Sequence, residues 1–167
     1  MNTKDARGRT IITEVKQFRF AIAVSRFNET ITKRLEEGAV ACFLHHGVPE
    51  KHVSVFRCPG AFELPQVANK LLSTPRWDAV VCLGAVIRGE TAHFEYVASE
   101  AARGIQDVAL RHSRPVVFGV LTTENKQQAL DRSGGKHGNK GWDAALAAME
   151  MSGLFEELTR RRQARRK

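Results

Sequence analysis

Along the chain, short apolar runs rich in β-branched residues alternate with longer stretches whose apolar residues recur every third or fourth position. Phe18 to Ser25 (FRFAIAVS) reads as a strand. Thr30 to His46 reads as a helix, with Thr30 as capping residue, Ile31, Leu35, Ala39 and Phe43 on one face, and Gly47 as the stop. Val53 to Cys58 is a second strand ended by Pro59 and Gly60, and Glu63 to Ser73 a second helix with Pro65 in its first turn. Ala79 to Ile87 (AVVCLGAVI) is nearly all apolar, the pattern of a central parallel strand buried on both faces. A helix from about Phe94 to Arg111, a strand Val116 to Leu121, and helices Glu124 to Arg132 and Lys140 to Leu158 complete the series. The stretch SGGKHGNKG separates the last two. No segment repeats at a solenoid period.

Strands that alternate with helices pair in parallel, because each crossover carries the chain back over one face of the sheet. The pattern therefore predicts an α/β fold, a three-layer α/β/α sandwich. Ligands of such sheets bind beyond the carboxyl ends of the strands. Four junctions lie there: SRFNET, CPGAFELP, GAVIRGETAHF and FGVLTTEN.

Composition narrows the class. The 167 residues are 43% hydrophobic and 26% charged, as expected of one globular domain and not of a disordered or membrane-embedded chain. No run of 18 apolar residues and no signal-like start occurs, so the reading is cytoplasmic, with no membrane partner. Cys42, Cys58 and Cys82 lack CxxC spacing and read as small core hydrophobes. The net charge is +8, but six cations lie in the last eight positions, so the body carries about +2. A solvated tail at 159–167, an N-terminal extension at 1–17 and a single domain at 18–158 follow, and no specific nucleic-acid partner is implied.

GAVIRGETAHF combines Gly89, a hydroxyl at Thr91, helix-start amides and the His93 imidazole, a set suited to an anion and to proton exchange near neutrality. It equally fits a plain N-cap at Thr91 and a solvated His93. No HxxxH spacing suggests a metal. SGGKHGNKG lacks the Ser or Thr that a Walker phosphate loop needs after its lysine, and no GxGxxG follows the first strand. Arg132, Lys136 and Lys140 suit a dianion or form a solvated basic corner. Phe27 and Phe62 either stack on a planar ligand or cap the core.

Read in order, SRFN, PGAFELP, GAVIRGETAHFEYV, FGVLTTEN and QALDRSGGKHGNKGWDAA resemble the lumazine synthase family, collinear from about Phe18 to Phe155. His137 and Trp142 stand where many members have alanine, and the basic tail is longer than usual. The resemblance implies a flavodoxin-like sandwich with a central four-stranded parallel sheet, and a homo-oligomer: a pentamer, or a sixty-subunit icosahedral shell, which the short SGGKHGNKG corner favours. The implied reaction belongs to riboflavin biosynthesis. It condenses 5-amino-6-(D-ribitylamino)uracil with 3,4-dihydroxy-2-butanone 4-phosphate, without metal or organic cofactor. By motif position His93 would transfer protons and Phe27 would stack on the pyrimidine beside Asn28. Ala61, Phe62 and Glu63 would hold the ribityl chain, and Ala85, Val86 and Ile87 would meet the pyrimidine edge. Glu90 and Thr91 would bind phosphate, while Phe118, Arg132 and Lys140 would reach in from a neighbouring subunit. The competing readings are a noncatalytic flavin- or phosphate-binding module and a shell protein that packages polyanions.

Overall fold

The computed structural model describes residues 3–4, 10–11 and 15–164. Most of the N-terminal extension and Arg165 to Lys167 of the tail therefore lie outside the described residues. β1 (Thr3–Lys4) pairs antiparallel with β2 (Thr10–Ile11). The main chain of elements is β3 (Phe20–Ser25), α1 (Glu29–His45), β4 (Val53–Cys58), α2 (Leu64–Leu72), β5 (Ala79–Ile87), α3 (His93–His112) and β6 (Val116–Thr123). It ends with α4 (Lys126–Arg132), β7 (Ser133–Gly135), β8 (Gly138–Asn139) and α5 (Lys140–Ala164).

The order β4-β3-β5-β6 is parallel throughout, so the expected α/β/α sandwich with a four-stranded sheet is the observed fold. Its two core layers follow from the period-two alternation of side chains along a strand. On β3, Phe20, Ile22 and Val24 face the layer that α1 and α5 cover, with Leu35, Phe43, Ala145 and Met149. Ala21 and Ala23 face the layer under α2 and α3, with Leu64, Ala68, Ile105 and Val108. Phe20 stacks on Phe43 with ring centroids 4.4 Å apart. β5 sends Val81 and Leu83 one way and Val80 and Cys82 the other, as a strand buried on both faces must.

Several boundaries differ from the sequence reading. α1 starts from Asn28 rather than Thr30. A 3₁₀ turn at Ala61–Glu63 precedes α2. SGGKHGNKG, expected to be a helix-helix corner whose glycines allow positive φ, does have positive φ at Gly134 and Gly138 but forms a two-stranded hairpin. α5 runs six residues beyond Leu158, with Arg160 paired to Glu156 and Arg161 to Glu157 one turn back, so the described part of the tail is helical.

Candidate active site

Register sets the floor of the site. β5 pairs with β3 only as far as Leu83, whereas on its other side it pairs with β6 through Ile87. The backbone of Ala85, Val86 and Ile87 thus projects past β3 with polar groups not taken by that neighbour. One of them is used locally: the Asn28 side-chain amide donates to the Ala85 carbonyl at 2.8 Å. Asn28 sits in the left-handed region, φ 60°, which Asn tolerates better than most side chains. Arg26 N–H donates to the Cys58 carbonyl and Phe27 N–H to that of Pro59, at 2.8 and 3.0 Å, lacing the first junction to the second.

This lacing holds the aromatic rings out of the core. Phe27 is 71% exposed and Phe62 50%, so the core-capping alternative does not hold. Ala61 is buried beneath them. Glu63 accepts from the Gly60 N–H at 2.9 Å, which commits one carboxylate oxygen to the turn and fixes the backbone of PGAFE.

His93 opens α3, and no side chain caps this helix. The alternative of a Thr91 N-cap fails: the cap is Ala92, and Thr91 Oγ1 lies 3.5 Å from the His93 amide it would accept from. Glu90, Thr91 and His93 are all exposed. The helix start therefore presents backbone donors with little local competition, beside an accessible imidazole.

Sequence reasoning passed over Arg88, which precedes this loop. Its Nε donates to Glu124 and its Nη1 to Glu95, each at 2.7 Å, and its guanidinium lies 4.3 Å from the centre of the Phe94 ring. Both hydrogen bonds hold its pKa above the ordinary arginine value, that to Glu95 first. A cation at a strand end, followed by one acid at the start of the next helix and another in the next junction, is the trace of this in the sequence.

The remaining candidates gather elsewhere. Phe118, Arg132 and Lys140 line a cavity of about 390 Å³ along β6 and the start of α5, together with Asp143, Ala144 and Ala147. None of Phe27, Asn28, Phe62, Glu63, Glu90, Thr91 or His93 lines it. Phe118 is 42% exposed there. Lys140 pairs with Asp143 at 2.8 Å, and Lys136, away from the cavity, with Asp131 at 3.7 Å. Arg132 donates only to the Gln128 carbonyl, at 3.1 Å, and has no carboxylate partner among the described residues. Its guanidinium is open to an external dianion on the cavity side.

Among the described residues no three His, Cys, Asp or Glu side chains are grouped to hold a metal ion, and no helix is long and apolar enough to cross a membrane. Burial pushes the Cys42 thiol up to about 12, with Asp143 adding to the effect, and drives Cys82 higher still. Neither is a ready nucleophile at neutral pH.

Comparison with known proteins identifies the family. The profile of the 6,7-dimethyl-8-ribityllumazine synthase family matches residues 17–156. A 6,7-dimethyl-8-ribityllumazine synthase of Chlorobium phaeobacteroides is 52% identical over 145 residues, 87% of this chain and 94% of its own. That of Chloroherpeton thalassium is 48% identical over 158 residues, 95% of this chain and all of its own. That of Chlorobium limicola is 54% identical over 142 residues, covering 85% and 92%. With half of its positions identical to such relatives over nearly their whole length, the chain belongs to the 6,7-dimethyl-8-ribityllumazine synthase family.

Proposed function

We propose that this chain performs the chemistry of its family at a site shared between two copies. The reaction condenses 5-amino-6-(D-ribitylamino)uracil with 3,4-dihydroxy-2-butanone 4-phosphate, giving 6,7-dimethyl-8-ribityllumazine, phosphate and water in riboflavin biosynthesis. One observation carries the shared site: the residues assigned to the pyrimidine and phosphate crown the ends of β3, β4 and β5, while Phe118, Arg132 and Lys140 face a cavity none of the others lines. A head-to-tail ring contact brings the cavity of one copy against the strand ends of the next. The family's pentamer is such a ring.

Each residue type suits its task. The exposed Phe27 ring stacks on the planar pyrimidine, with Asn28 fixing the backbone beneath it. The backbone edge of Ala85, Val86 and Ile87 that β3 leaves uncovered, apart from the Ala85 carbonyl that Asn28 occupies, pairs with the heterocycle, as a strand pairs with its neighbour. Ala61, Phe62 and Glu63 hold the ribityl hydroxyls through amides and the carboxylate oxygen not engaged by Gly60. Phosphate takes the amides at the α3 start beside Glu90 and Thr91, and the neighbour's Arg132 supplies the bidentate cation, with Lys140 close by.

The chemistry then needs alignment and proton movement. The pyrimidine amine attacks the ketone, its proton leaves, and loss of water forms an imine. A proton is removed next to the imine carbon as the C–O bond to phosphate breaks, the enol left behind takes a proton on its terminal carbon to become a methyl ketone, and the ribitylamino nitrogen attacks that carbonyl, closing the second ring with loss of water. His93, exposed and adjacent to the phosphate position, is the group that takes and returns these protons. Holding both substrates together contributes the rest of the acceleration.

The three buried free thiols support a reducing, cytoplasmic setting. The unit at 18–158 carries the site, flanked by 1–17, from which Val15 reaches into the core, and by 159–167, into which α5 continues as far as Ala164. A further association of pentamers into an icosahedral shell is read from the short β7–β8 hairpin, and light scattering separates the two sizes. The decisive test mixes purified protein with both substrates. Lumazine absorbance and released phosphate should rise in equal amounts. Binding of either substrate without turnover would reduce the chain to a binding module.

A further inference from the structure

Arg88 stands one residue before the loop assigned to phosphate, and its charge is fully engaged elsewhere. Its side chain joins three segments: the end of β5 from which it projects, the first turn of α3 through Glu95, and the β6–α4 connection through Glu124. Its own N–H donates to the Thr123 carbonyl at 2.9 Å, and the guanidinium rests on Phe94. By contrast, the loop it roots has few ties. A Cβ at Gly89 would meet nothing within 4 Å, Thr91 makes one long contact, and α3 has no side-chain cap.

We propose that Arg88 is a positioning residue for the phosphate-bearing substrate: clamped by Glu95 and Glu124, it holds the first turn of α3, and with it Glu90, Thr91 and His93, in binding geometry without touching phosphate itself. Two acids against one guanidinium leave a net negative charge around its remaining donors, which disfavours a dianion there. The same pairs cross from α3 to the connection leading into α4, so they set the angle between the helix start and the next strand end. A clamp made of three charges and a ring needs no room in the core, which explains why it sits on the surface. The inference rests on the assignment of phosphate to the α3 start.

The sign of one substitution separates a clamp from a ligand. If Arg88 positions the loop, Glu124→Gln loosens it and raises the KM for the butanone phosphate. If Arg88 binds phosphate, Glu124→Gln frees the guanidinium and lowers that KM. The experiment compares Arg88→Gln, Arg88→Lys, Glu124→Gln and the Arg88→Gln/Glu124→Gln pair in the full-length protein, with melting temperature measured for each. Arg88→Gln should raise the KM for the phosphate substrate about tenfold and lower kcat several-fold, since His93 rides on the same turn, while the pyrimidine Kd stays within about twofold. Arg88→Lys, which can satisfy one carboxylate, should restore part of the loss. The double variant should be no worse than Arg88→Gln, because both remove one clamp. A lower KM in Glu124→Gln, equal losses for both substrates, or additive losses in the double variant would each overturn the proposal. Thr91→Ala and Arg132→Ala serve as references: if neither raises the KM for the phosphate substrate, the phosphate assignment fails; if they do and Arg88→Gln does not, the clamp alone fails.

Discussion

Replacing Gly141 with Ala places a methyl group into the closest approach of α1 and α5. The new Cβ would lie 2.6 Å from the Leu35 carbonyl carbon and 2.8 Å from its Cα, and nearer still to its oxygen. Ordinary contact begins at 3.4 Å, and the obstacle is helix backbone with Leu35 fully buried, so the helices must part by at least the missing 0.6 to 0.8 Å. Overpacking of this kind costs about 1 to 3 kcal/mol. The separation also strains Asn139, whose Oδ1 accepts from Gly141 N–H at 2.8 Å and Trp142 N–H at 3.3 Å while its Nδ2 donates to the Arg34 carbonyl at 2.8 Å. Loss of roughly two such bonds adds about 2 kcal/mol, and the better helix propensity of Ala returns about 1. A net loss of about 3 kcal/mol corresponds to a fall in melting temperature of roughly 6 to 12 °C for a chain of this size. Circular dichroism at one fixed protein concentration measures it, since association otherwise shifts the midpoint. Gly89→Ala, where nothing lies within 4 Å, is the control and should melt within about 1 °C of the unchanged protein. Because Lys140 precedes Gly141, the variant should also weaken the phosphate substrate. Coincident melting of Gly141→Ala and the control would refute the packing argument.

Arg132→Ala should weaken the butanone phosphate by about 1.5 to 3 kcal/mol and leave the pyrimidine nearly untouched; equal losses, measured by separate titrations, would count against its role. His93→Ala and Arg132→Ala, each strongly slowed alone at a limiting concentration of the butanone phosphate, should recover roughly a quarter of full activity when co-refolded in equal amounts, since random neighbours give about 25% intact interfaces. No recovery in rings that mass spectrometry shows to be mixed would put both residues in one subunit's site. Cys42 ionises near 9.0 in an unfolded chain and is held up to about 12 in the fold, so its contribution to stability is intact below pH 9 and is lost as pH rises toward 12. Urea midpoints should fall over that window more steeply for the unchanged protein than for Cys42→Ala, and equal slopes would contradict the burial effect.

The backbone plan was legible because burial imposes its own period. Ala79 to Ile87, apolar on both faces, can only be a central strand, and its bounds match the observed β5. Val53 to Cys58 was legible because Pro59 and Gly60 stop it. What periodicity could not express was local hydrogen bonding. Asn28 takes the start of α1 from Thr30 because a left-handed Asn can bond to Ala85, 57 residues away. Gly134 and Gly138 turn a presumed corner into a hairpin that Asn139 docks on α1. Three of the junctions named as ligand sites did lie at strand ends, whereas most of FGVLTTEN is strand, since β6 runs to Thr123. The Arg88 clamp stayed hidden because its partners are 7 and 36 positions away, and no spacing rule joins them.

Two arginines near the site show how charge is divided between holding and binding. Arg88 is matched by two carboxylates at 2.7 Å, so a dianion approaching it would have to displace acids already in place. Arg132, half-buried on its cavity, bonds only to a backbone carbonyl one turn back, at the end of a helix whose dipole favours a cation. No carboxylate among the described residues bonds to it, so its free energy falls when an external dianion arrives. A cation left in that state would be costly in a monomer. In the proposed shared site it becomes useful once the neighbouring strand ends deliver a phosphate to it. On this reasoning, subunit contact and substrate binding favour each other through the same guanidinium, and the butanone phosphate, unlike the pyrimidine, should tighten the ring on dilution.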